Sequence, residues 1–226
     1  MNFIVIEGLD GAGKSTQIEL LSKYFKSKNK SVEYLHFPTY NSEIFGGLIS
    51  DFLSGKFGEL SCVNPYLVAL LFAGDRFNMS QKIQKHLDEG TNVIADRYVY
   101  SNIAFQGAKL NSKKEQAEIC EWIFKMEYEY FKIPKPDLNI FLNVPLEFTK
   151  KTLEKRREKN DREYLKGNQD IHEANIEFQA KVLKMYKLAI QKYPDFKKID
   201  CYDANNKIFT PEKISEKIIK LICKLK

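Results

Sequence analysis

A glycine-rich segment near the N-terminus carries the clearest chemical signal in the sequence. Gly8 to Ser15 reads GLDGAGKS and matches G-x-x-x-x-G-K-[ST] between an apolar run and a helical pattern. In this motif, converging backbone N–H groups and the start of a helix bind phosphate oxygens. Lys14 would supply a charge to the β- and γ-phosphates, and Ser15 a Mg²⁺ ligand. The segment therefore predicts binding of a nucleoside triphosphate.

A second candidate site follows the short apolar run NVIA at residues 92–95. Asp96 would lie at the carboxyl end of this buried strand, where doubly wound sheets bind ligands. Its carboxylate could hold magnesium or a substrate, and the adjacent Arg97 could bind a phosphate. A salt bridge within the fold is the alternative explanation for this pair.

Arginine is used sparingly, since the chain has 36 basic residues and nearly all of them are lysine. A guanidinium offers a rigid bidentate fork that an ammonium does not replace. We therefore expect the arginines to contact anions or bases, with ordinary surface charge as the alternative. They are Arg76, Arg97, Arg156, Arg157 and Arg162.

Phe72 and Arg76 are four residues apart in a predicted helix, so they share one face of it. An aromatic plane and a guanidinium on one face could stack on a nucleobase and hydrogen-bond to its edge. An equally weighted alternative places Phe72 in the core and Arg76 on the surface.

Strand-like and helical patterns alternate along the chain, which is typical of a parallel sheet covered by helices on both faces. Strands are predicted at 2–6, 32–37, 92–95, 138–142 and 197–202. Helices are predicted after the glycine-rich segment, at 42–53, 64–87, 99–108, 112–130, from 145, at 171–193 and from 210. The basic stretch at 150–170 is either a solvated helix face or a mobile flap.

Composition narrows the class of protein. With 226 residues and 43% hydrophobic residues, the chain can bury a sizeable core. No apolar run approaches the roughly 20 residues that span a bilayer, and the first residues lack a signal-peptide pattern. We therefore expect a cytoplasmic protein.

The four scattered cysteines predict neither disulfides nor a zinc site. The net charge of +6 suits the binding of nucleic acid or of a phosphorylated small molecule.

The chain resembles the thymidylate kinases, a family of P-loop nucleoside monophosphate kinases, from Phe3 to about Lys207. The resemblance rests on FIVIEGLDGAGKSTQ, FPTY, LLFAGDR, DRYVYSNIAFQGAK, PKPDLNIFL and an NDRE–D lid pattern. It implies an α/β P-loop NTPase fold, with a five-stranded parallel sheet flanked by helices. It also implies one domain over residues 1–226, a short basic lid at about 155–170, and a homodimer.

The resemblance further implies a reaction in dTTP synthesis, in which MgATP and dTMP give dTDP and ADP. Mg²⁺ would be held by Ser15 and Asp96. ATP would be bound by Gly8, Asp10, Gly11, Ala12, Gly13, Lys14, Ser15 and Thr16, with Asp203 and Asn205 in a loop beside adenine.

For dTMP, the resemblance implies that Phe72 stacks on thymine while Arg76 and Gln106 contact the base. Phe105 would pack against the sugar, and Asp10 would bind the 3′-hydroxyl. Arg97 would hold the acceptor phosphate, with Phe37 and Tyr40 near the same pocket.

Two positions depart from the family pattern. Gly11 stands where some members carry an arginine, and Tyr40 stands where many carry one. Members that lack the first arginine commonly place catalytic arginines in the lid. The expected catalytic residues are therefore Lys14, Asp96 and Arg97 together with the lid residues Arg156, Arg157 and Arg162.

Two other functions are alternatives to this one. The first is a kinase for another deoxynucleotide or deoxynucleoside. The second is a P-loop switch or nucleic-acid motor, which is disfavoured because the sequence after the glycine-rich segment has neither an Asp-x-x-Gly nor an Asn-Lys-x-Asp guanine signature. The expected partners are thus ATP and dTMP, without nucleic acid or membrane.

Overall fold

The computed structural model describes residues 1–60, 62–157 and 176–225, and the side chains at 155–157 are not described. The strands are β1 (Phe3–Glu7), β2 (Val32–His36), β3 (Asn92–Asp96), β4 (Leu138–Asn143) and β5 (Phe196–Asp200). The helices are α1 (Lys14–Ser27), α2 (Phe45–Leu53), α3 (Pro65–Asp88), α4 (Val99–Gly107), α5 (Lys113–Phe124), α6 (Leu146–Arg157), α7 (Ile176–Lys192) and α8 (Pro211–Ile222).

The five strands form one parallel sheet in the order β2-β3-β1-β4-β5. β1 lies in the middle and all five of its residues are buried, as expected for a strand covered on both faces. Ile6 of β1 pairs with Asp96 of β3, so these two strands end side by side. The predicted α/β class and five-stranded parallel sheet are confirmed.

Several helices begin at residues that the sequence marks as starts. The Asn64 side chain accepts from the Tyr66 N–H, with Pro65 at the first helical position of α3. Thr210 caps α8 in the same way. Such caps satisfy N–H groups that have no partner within the helix. The predicted starts of α3 and α8 therefore agree with the structure.

The helix expected over 112–130 changes character partway along. It is α-helical to Phe124 and continues as a π-helical segment over Lys125–Tyr130. The Phe131 N–H bonds to the Met126 carbonyl, 2.8 Å away and five residues back. Propensity alone does not predict this wider turn, which carries the buried Glu127 and is frequent at functional sites.

Two hydrophobic clusters lie on opposite faces of the sheet. One joins the sheet to α3, α4, α5 and α7, and it includes Tyr100 stacked on Phe196 with ring centres 4.0 Å apart. The other joins the sheet to α1 and α8 through residues such as Leu21 and Ile218. Within the described ranges, every helix is too short or too polar to cross a membrane.

Candidate functional site

The glycine-rich loop connects β1 to α1 and presents the first turn of that helix. Gly13 is the N-cap of α1, with a φ of 85°, and no described side chain caps the helix. The first N–H groups of α1 are therefore oriented to bind phosphate oxygens. Gly11 has a φ of 81°, and a Cβ there would lie 2.9 Å from the Thr149 carbonyl oxygen of α6. An arginine at position 11 would thus require α6 to move.

Lys14 lies between the carboxylates of Asp10, in the glycine-rich loop, and Asp96, at the end of β3. Its Nζ is 3.9 Å from Asp10 Oδ1 and 3.9 Å from Asp96 Oδ1, and it donates to two carbonyls of the loop at 3.2 and 3.3 Å. Burial lowers the pKa of Lys14, as does the nearby Arg97, while the carboxylates oppose this shift. The ammonium is therefore held within the loop that is expected to bind phosphates.

Asp96 is the carboxylate best placed to take a metal ligand role. It is 4% exposed, and its Oδ1 is buried with no hydrogen-bond partner among the described residues. His36 Nδ1 lies 3.5 Å from Oδ2. Burial acts to raise the pKa of Asp96, but Lys14 and His36 hold it below the ordinary value. The carboxylate is therefore ionised. The described residues contain no cluster of three or more His, Cys, Asp or Glu side chains suited to a metal.

Arg97 follows β3 with a φ of 67°, a conformation that is uncommon for a non-glycine residue and clusters at functional sites. Its Nη2 donates to Asp10 Oδ1 at 2.6 Å. Its Nη1 donates to Ser101 Oγ at 2.9 Å and to the Tyr186 hydroxyl at 3.3 Å. The guanidinium carbon lies 5.1 Å from the centre of the Phe105 ring. Asp10 and its neighbours outweigh burial and raise the pKa of Arg97 well above the ordinary value.

A buried carboxylate lies beneath Arg97. Glu7 ends β1 with no solvent exposure. Its Oε1 accepts from the Tyr98 and Ser101 N–H groups at 2.9 and 3.1 Å. Its Oε2 accepts from the Ser101 and Tyr186 hydroxyls at 2.5 and 2.9 Å. Glu7 therefore accepts hydrogen bonds from N–H groups at the start of α4, the helix that follows the Asp96–Arg97 pair.

Arg76 is held by an acidic partner from the π-helical segment. Its Nε and Nη2 donate to the two Glu127 carboxylate oxygens at 2.5 and 2.7 Å, and Asn102 Nδ2 donates to Glu127 Oε1 at 3.0 Å. Burial alone would lower the pKa of Arg76, but Glu127 raises it. Arg76 is only 2% exposed, so the alternative of a surface charge is wrong. Its Nη1 makes no hydrogen bond within the described residues and could meet a ligand.

Aromatic and amide side chains lie beside this ion pair. Phe72 is half-buried and meets Phe52 edge-on, with ring centres 6.3 Å apart. Gln106 is 1% exposed, and its buried Oε1 has no partner among the described residues. Lys109 Nζ lies 4.7 Å from the centre of the Phe52 ring, and burial lowers the pKa of Lys109 to about 7. Together these side chains form a mainly apolar surface beside the Arg76–Glu127 pair, with Gln106 and Lys109 as its polar groups.

The FPTY segment is tied to α3 by a buried acid. Asp75 accepts from the Thr39 N–H at 2.8 Å and also from the Thr39 hydroxyl. Burial raises the pKa of Asp75, although the bonds from Thr39 oppose the shift. Phe37 is 1% exposed and packs in the core. Tyr40 is half-buried, with its ring centre 6.1 Å from that of His36. The segment is thus held against α3, next to the end of β2.

The loop after β5 is closed by its own acidic residue. Asp203 Oδ1 accepts from the Asn205 and Lys207 N–H groups, each at 2.9 Å. Gln17 of α1 donates through Nε2 to the Pro211 carbonyl at 3.1 Å. This bond links the helix that follows the glycine-rich loop to the end of the Asp203 loop.

Comparisons with known proteins agree on one family. The family model described as thymidylate kinase matches residues 6–208. The thymidylate kinase of Plasmodium falciparum is 32% identical over 227 aligned positions, which cover 99% of this chain and 90% of that protein. The chain belongs to the thymidylate kinase family. The thymidylate kinase of Mycobacterium tuberculosis is 37% identical over 144 residues, which cover 64% of this chain and 66% of that protein.

A solved thymidylate kinase structure, from Candida albicans, superimposes with a TM-score of 0.73 at 28% identity. The match covers 98% of this chain and 90% of that one. The predicted P-loop NTPase fold and thymidylate kinase family are therefore confirmed.

Within this thymidylate kinase family fold, the structure brings one group of predicted residues together. Lys14, Asp10, Asp96 and Arg97 meet at the adjoining ends of β1 and β3. Phe105 lies against Arg97 and so joins this group to α4, which also carries Gln106. Arg162 lies outside the described residues. Arg156 and Arg157 end α6, and their side chains are likewise outside them.

Three functional neighbours were missed by the sequence reasoning. Glu7, Asp75 and Glu127 are all fully buried, and each fixes a residue or segment of the site. An acidic residue at the end of an apolar strand was a signal that could have found Glu7. No comparable signal marks Glu127, because its partner Arg76 is 51 residues away.

Proposed function

We propose that the protein transfers the γ-phosphoryl group of MgATP to dTMP, giving dTDP and ADP. The main observation in support is that the glycine-rich loop lies next to Asp96 and Arg97, where the ends of β1 and β3 adjoin. Membership of the thymidylate kinase family supports the choice of acceptor. The reaction requires positioning and charge neutralisation rather than a protein nucleophile, because an oxygen of the acceptor phosphate attacks.

On the donor side, the N–H groups of the loop and Lys14 bind the ATP phosphates. The uncapped first turn of α1 supports this role. The contributing residues are Gly8, Asp10, Gly11, Ala12, Gly13, Ser15 and Thr16. Asp203 and Asn205 lie beside adenine, and the bond from Gln17 to Pro211 supports this by joining their loop to α1.

Ser15 and Asp96 hold Mg²⁺ with the ATP phosphates. Two observations fit that ion: Asp96 is ionised although buried, and its Oδ1 has no hydrogen-bond partner in the described chain. Oxygen ligands of this kind are those that Mg²⁺ prefers. The ion would neutralise charge on the transferring phosphoryl group.

On the acceptor side, Arg97 binds the dTMP phosphate and Asp10 binds the 3′-hydroxyl. Phe72 stacks on thymine, while Arg76 and Gln106 read its edge. The fixed guanidinium of Arg76 and the unpaired Oε1 of Gln106 support base recognition. Phe105, in contact with Arg97, packs against the sugar, and Phe37 and Tyr40 complete the pocket.

The lid supplies the remaining cation. Gly11 contacts α6 closely, since a Cβ added to Gly11 would lie 3.2 Å from Thr152 Cβ and 3.5 Å from Leu153 Cγ. Arg156 follows these residues by four and three positions, a spacing that shares a helix face. We infer that Arg156 or Arg157, together with Arg162, stabilises the transferring phosphoryl group. The packing of α6 against the loop supports this role.

The chain acts as a single cytoplasmic domain over residues 1–226, with a lid at about 155–170, and pairs as a homodimer. Exposed apolar side chains at Leu67, Leu70 and Phe77 of α3 support pairing, with exposures of 64%, 44% and 49%. Leu70 lines a surface pocket of about 300 Å³ between α3 and the segment from Trp122 to Phe131. Neither nucleic acid nor membrane is a partner. Leu70→Glu should shift the protein from dimer to monomer in analytical ultracentrifugation.

The proposed acceptor is tested by measuring ADP release with MgATP across a nucleoside monophosphate panel. dTMP should react best, dUMP less well, and AMP, CMP and GMP barely. Loss of one methyl group is worth about 1–3 kcal/mol, so dUMP should retain some activity. A preference for AMP or GMP over dTMP would overturn the proposal, and a preference for thymidine or another deoxynucleotide would favour the alternative kinase.

A further inference from the structure

Two hydroxyl groups connect the Arg97 guanidinium to a buried carboxylate. Arg97 Nη1 lies 2.9 Å from Ser101 Oγ and 3.3 Å from the Tyr186 hydroxyl. Both hydroxyls also reach Glu7 Oε2, at 2.5 and 2.9 Å. A guanidinium donates hydrogen bonds and never accepts them. Each hydroxyl therefore accepts from Arg97 and is placed to donate to Glu7. The two hydroxyl oxygens also lie 2.8 Å apart, within hydrogen-bonding distance of each other.

We propose that Tyr186 is a positioning residue which, with Ser101, fixes Arg97 toward the acceptor phosphate by linking it to Glu7. The proposal rests on the role of Arg97 under the proposed function. Tyr186 stands 89 residues from Arg97 and 179 from Glu7, on a helix that no nucleotide-binding motif of the sequence includes. Its expected contribution is therefore to dTMP recognition, through Arg97 and without touching dTMP.

The surroundings of Arg97 explain why such a link is needed. Asp10 already accepts from Nη2 at 2.6 Å, and it would attract the whole guanidinium if Nη1 were released. A bidentate pair with Asp10 would then compete with the acceptor phosphate for the same fork. The bonds to Ser101 and Tyr186 engage Nη1, while Nη2 bonds to Asp10.

The Tyr186 hydroxyl is suited to a fixed donor role. Its side chain has no solvent exposure, and burial, together with the Glu7 charge, raises its pKa well above the ordinary value. The phenol therefore stays protonated at any working pH. Its ring is also fixed, since its centre lies 4.7 Å from that of Phe141 in β4.

The test compares dTMP with thymidine, which lacks the phosphate, as ligands of the full chain in calorimetry. Tyr186→Phe keeps the ring and removes only the hydroxyl. The preference for dTMP over thymidine should fall about three- to tenfold, the range expected for one hydrogen bond. Thymidine affinity itself should not change. Tyr100→Phe is the matched control, because Tyr100 is 1% exposed and its hydroxyl bonds to Asp195 at 2.9 Å, away from Arg97.

Arg97→Ala separates failure of this proposal from failure of the underlying role. If Arg97→Ala keeps the preference for dTMP, then Arg97 does not bind the phosphate and the proposed function of that residue is wrong. If Arg97→Ala loses it but Tyr186→Phe behaves like Tyr100→Phe, the positioning role alone is overturned. Two other results would overturn the proposal. Tyr186→Phe could weaken the binding of dTMP and thymidine equally, or it could lower the melting temperature without changing the preference for dTMP. Either result would mean that the hydroxyl only stabilises the fold.

A double variant tests that both side chains act on one contact. Adding Tyr186→Phe to Arg97→Ala should cause no further loss of preference, because the positioned group is already absent. An additive loss in the double variant would mean that Tyr186 acts on the ligand by another route, and it would overturn the proposal.

Discussion

Glu127→Gln should destabilise the protein and weaken dTMP binding together. Glu127 is 0% and Arg76 3% exposed at their side chains, so the pair is shielded from water. Glutamine keeps the shape but offers one acceptor oxygen, whereas the carboxylate receives bonds from Arg76 Nε, Arg76 Nη2 and Asn102 Nδ2. Its NH₂ group would then face the donors of Arg76.

The magnitude follows from the burial of this pair. Removing one partner of a buried ion pair costs about 3–5 kcal/mol, and because glutamine retains one acceptor we expect about 3 kcal/mol. For a chain of this length, each kcal/mol lowers the Tm by about 2–4 °C. The Tm should therefore fall by about 6–12 °C. The KM for dTMP should rise about tenfold, because Arg76 loses one of the two bonds that fix it near the base.

Thermal unfolding and steady-state kinetics on the same preparations check this result. Glu89→Gln is the control, because Glu89 lies 3.9 Å from Lys85 in an exposed pair worth less than about 1 kcal/mol. The double variant Arg76→Leu/Glu127→Leu should recover part of the stability while dTMP binding stays weak, since no unpaired charge remains. A Tm loss in Glu127→Gln no larger than in the control would refute the reasoning.

Three further predictions concern lysines and the lid. Lys14→Ala should reduce kcat to background with the fold retained, and near-normal kcat beside an unchanged Tm would refute its role. Lys109 has a folded pKa of about 7 against an ordinary 10.5, so between these values only the unfolded chain holds the extra proton, and the free energy of unfolding should rise with pH by as much as about 1.4 kcal/mol per unit. Lys109→Met should abolish that slope in denaturation measured at pH 7, 8 and 9. Alanine and lysine variants of Arg156, Arg157 and Arg162 should include at least one lysine variant with reduced kcat and nearly unchanged dTMP KM, and wild-type kcat in all of them would exclude a catalytic lid.

Local signals predicted most of the fold. Alternation of strand and helix patterns, Pro65 and Pro211 at helix starts, and the glycine-rich loop located the elements near the positions that the structure shows. These features depend on interactions between residues close in sequence. The change to a π-helix after Phe124 was not predicted, because it accompanies the contact of Glu127 with a distant arginine.

The site was predicted less completely than the fold. Lys14, Asp96 and Arg97 carry motif or strand-end signals, and the structure places them together. The carboxylates that hold the site in place pair with partners far along the chain, so no local pattern identifies those partners. Glu7 illustrates the difference, since its hydrogen-bond donors come from the start of α4 and from Tyr186.

The central position of β1 has a consequence for how the chain assembles during synthesis. β1 is made first, yet its sheet neighbours β3 and β4 begin at Asn92 and Leu138, and the last strand, β5, begins at Phe196. At about 5–20 residues per second, roughly 10–40 s separate the emergence of β1 from that of β5. During this time the strand FIVIE exposes two apolar faces and two unpaired edges, which favour aggregation. Slower translation or fewer chaperones should therefore reduce the yield of the enzyme while the molecules that do fold keep full activity.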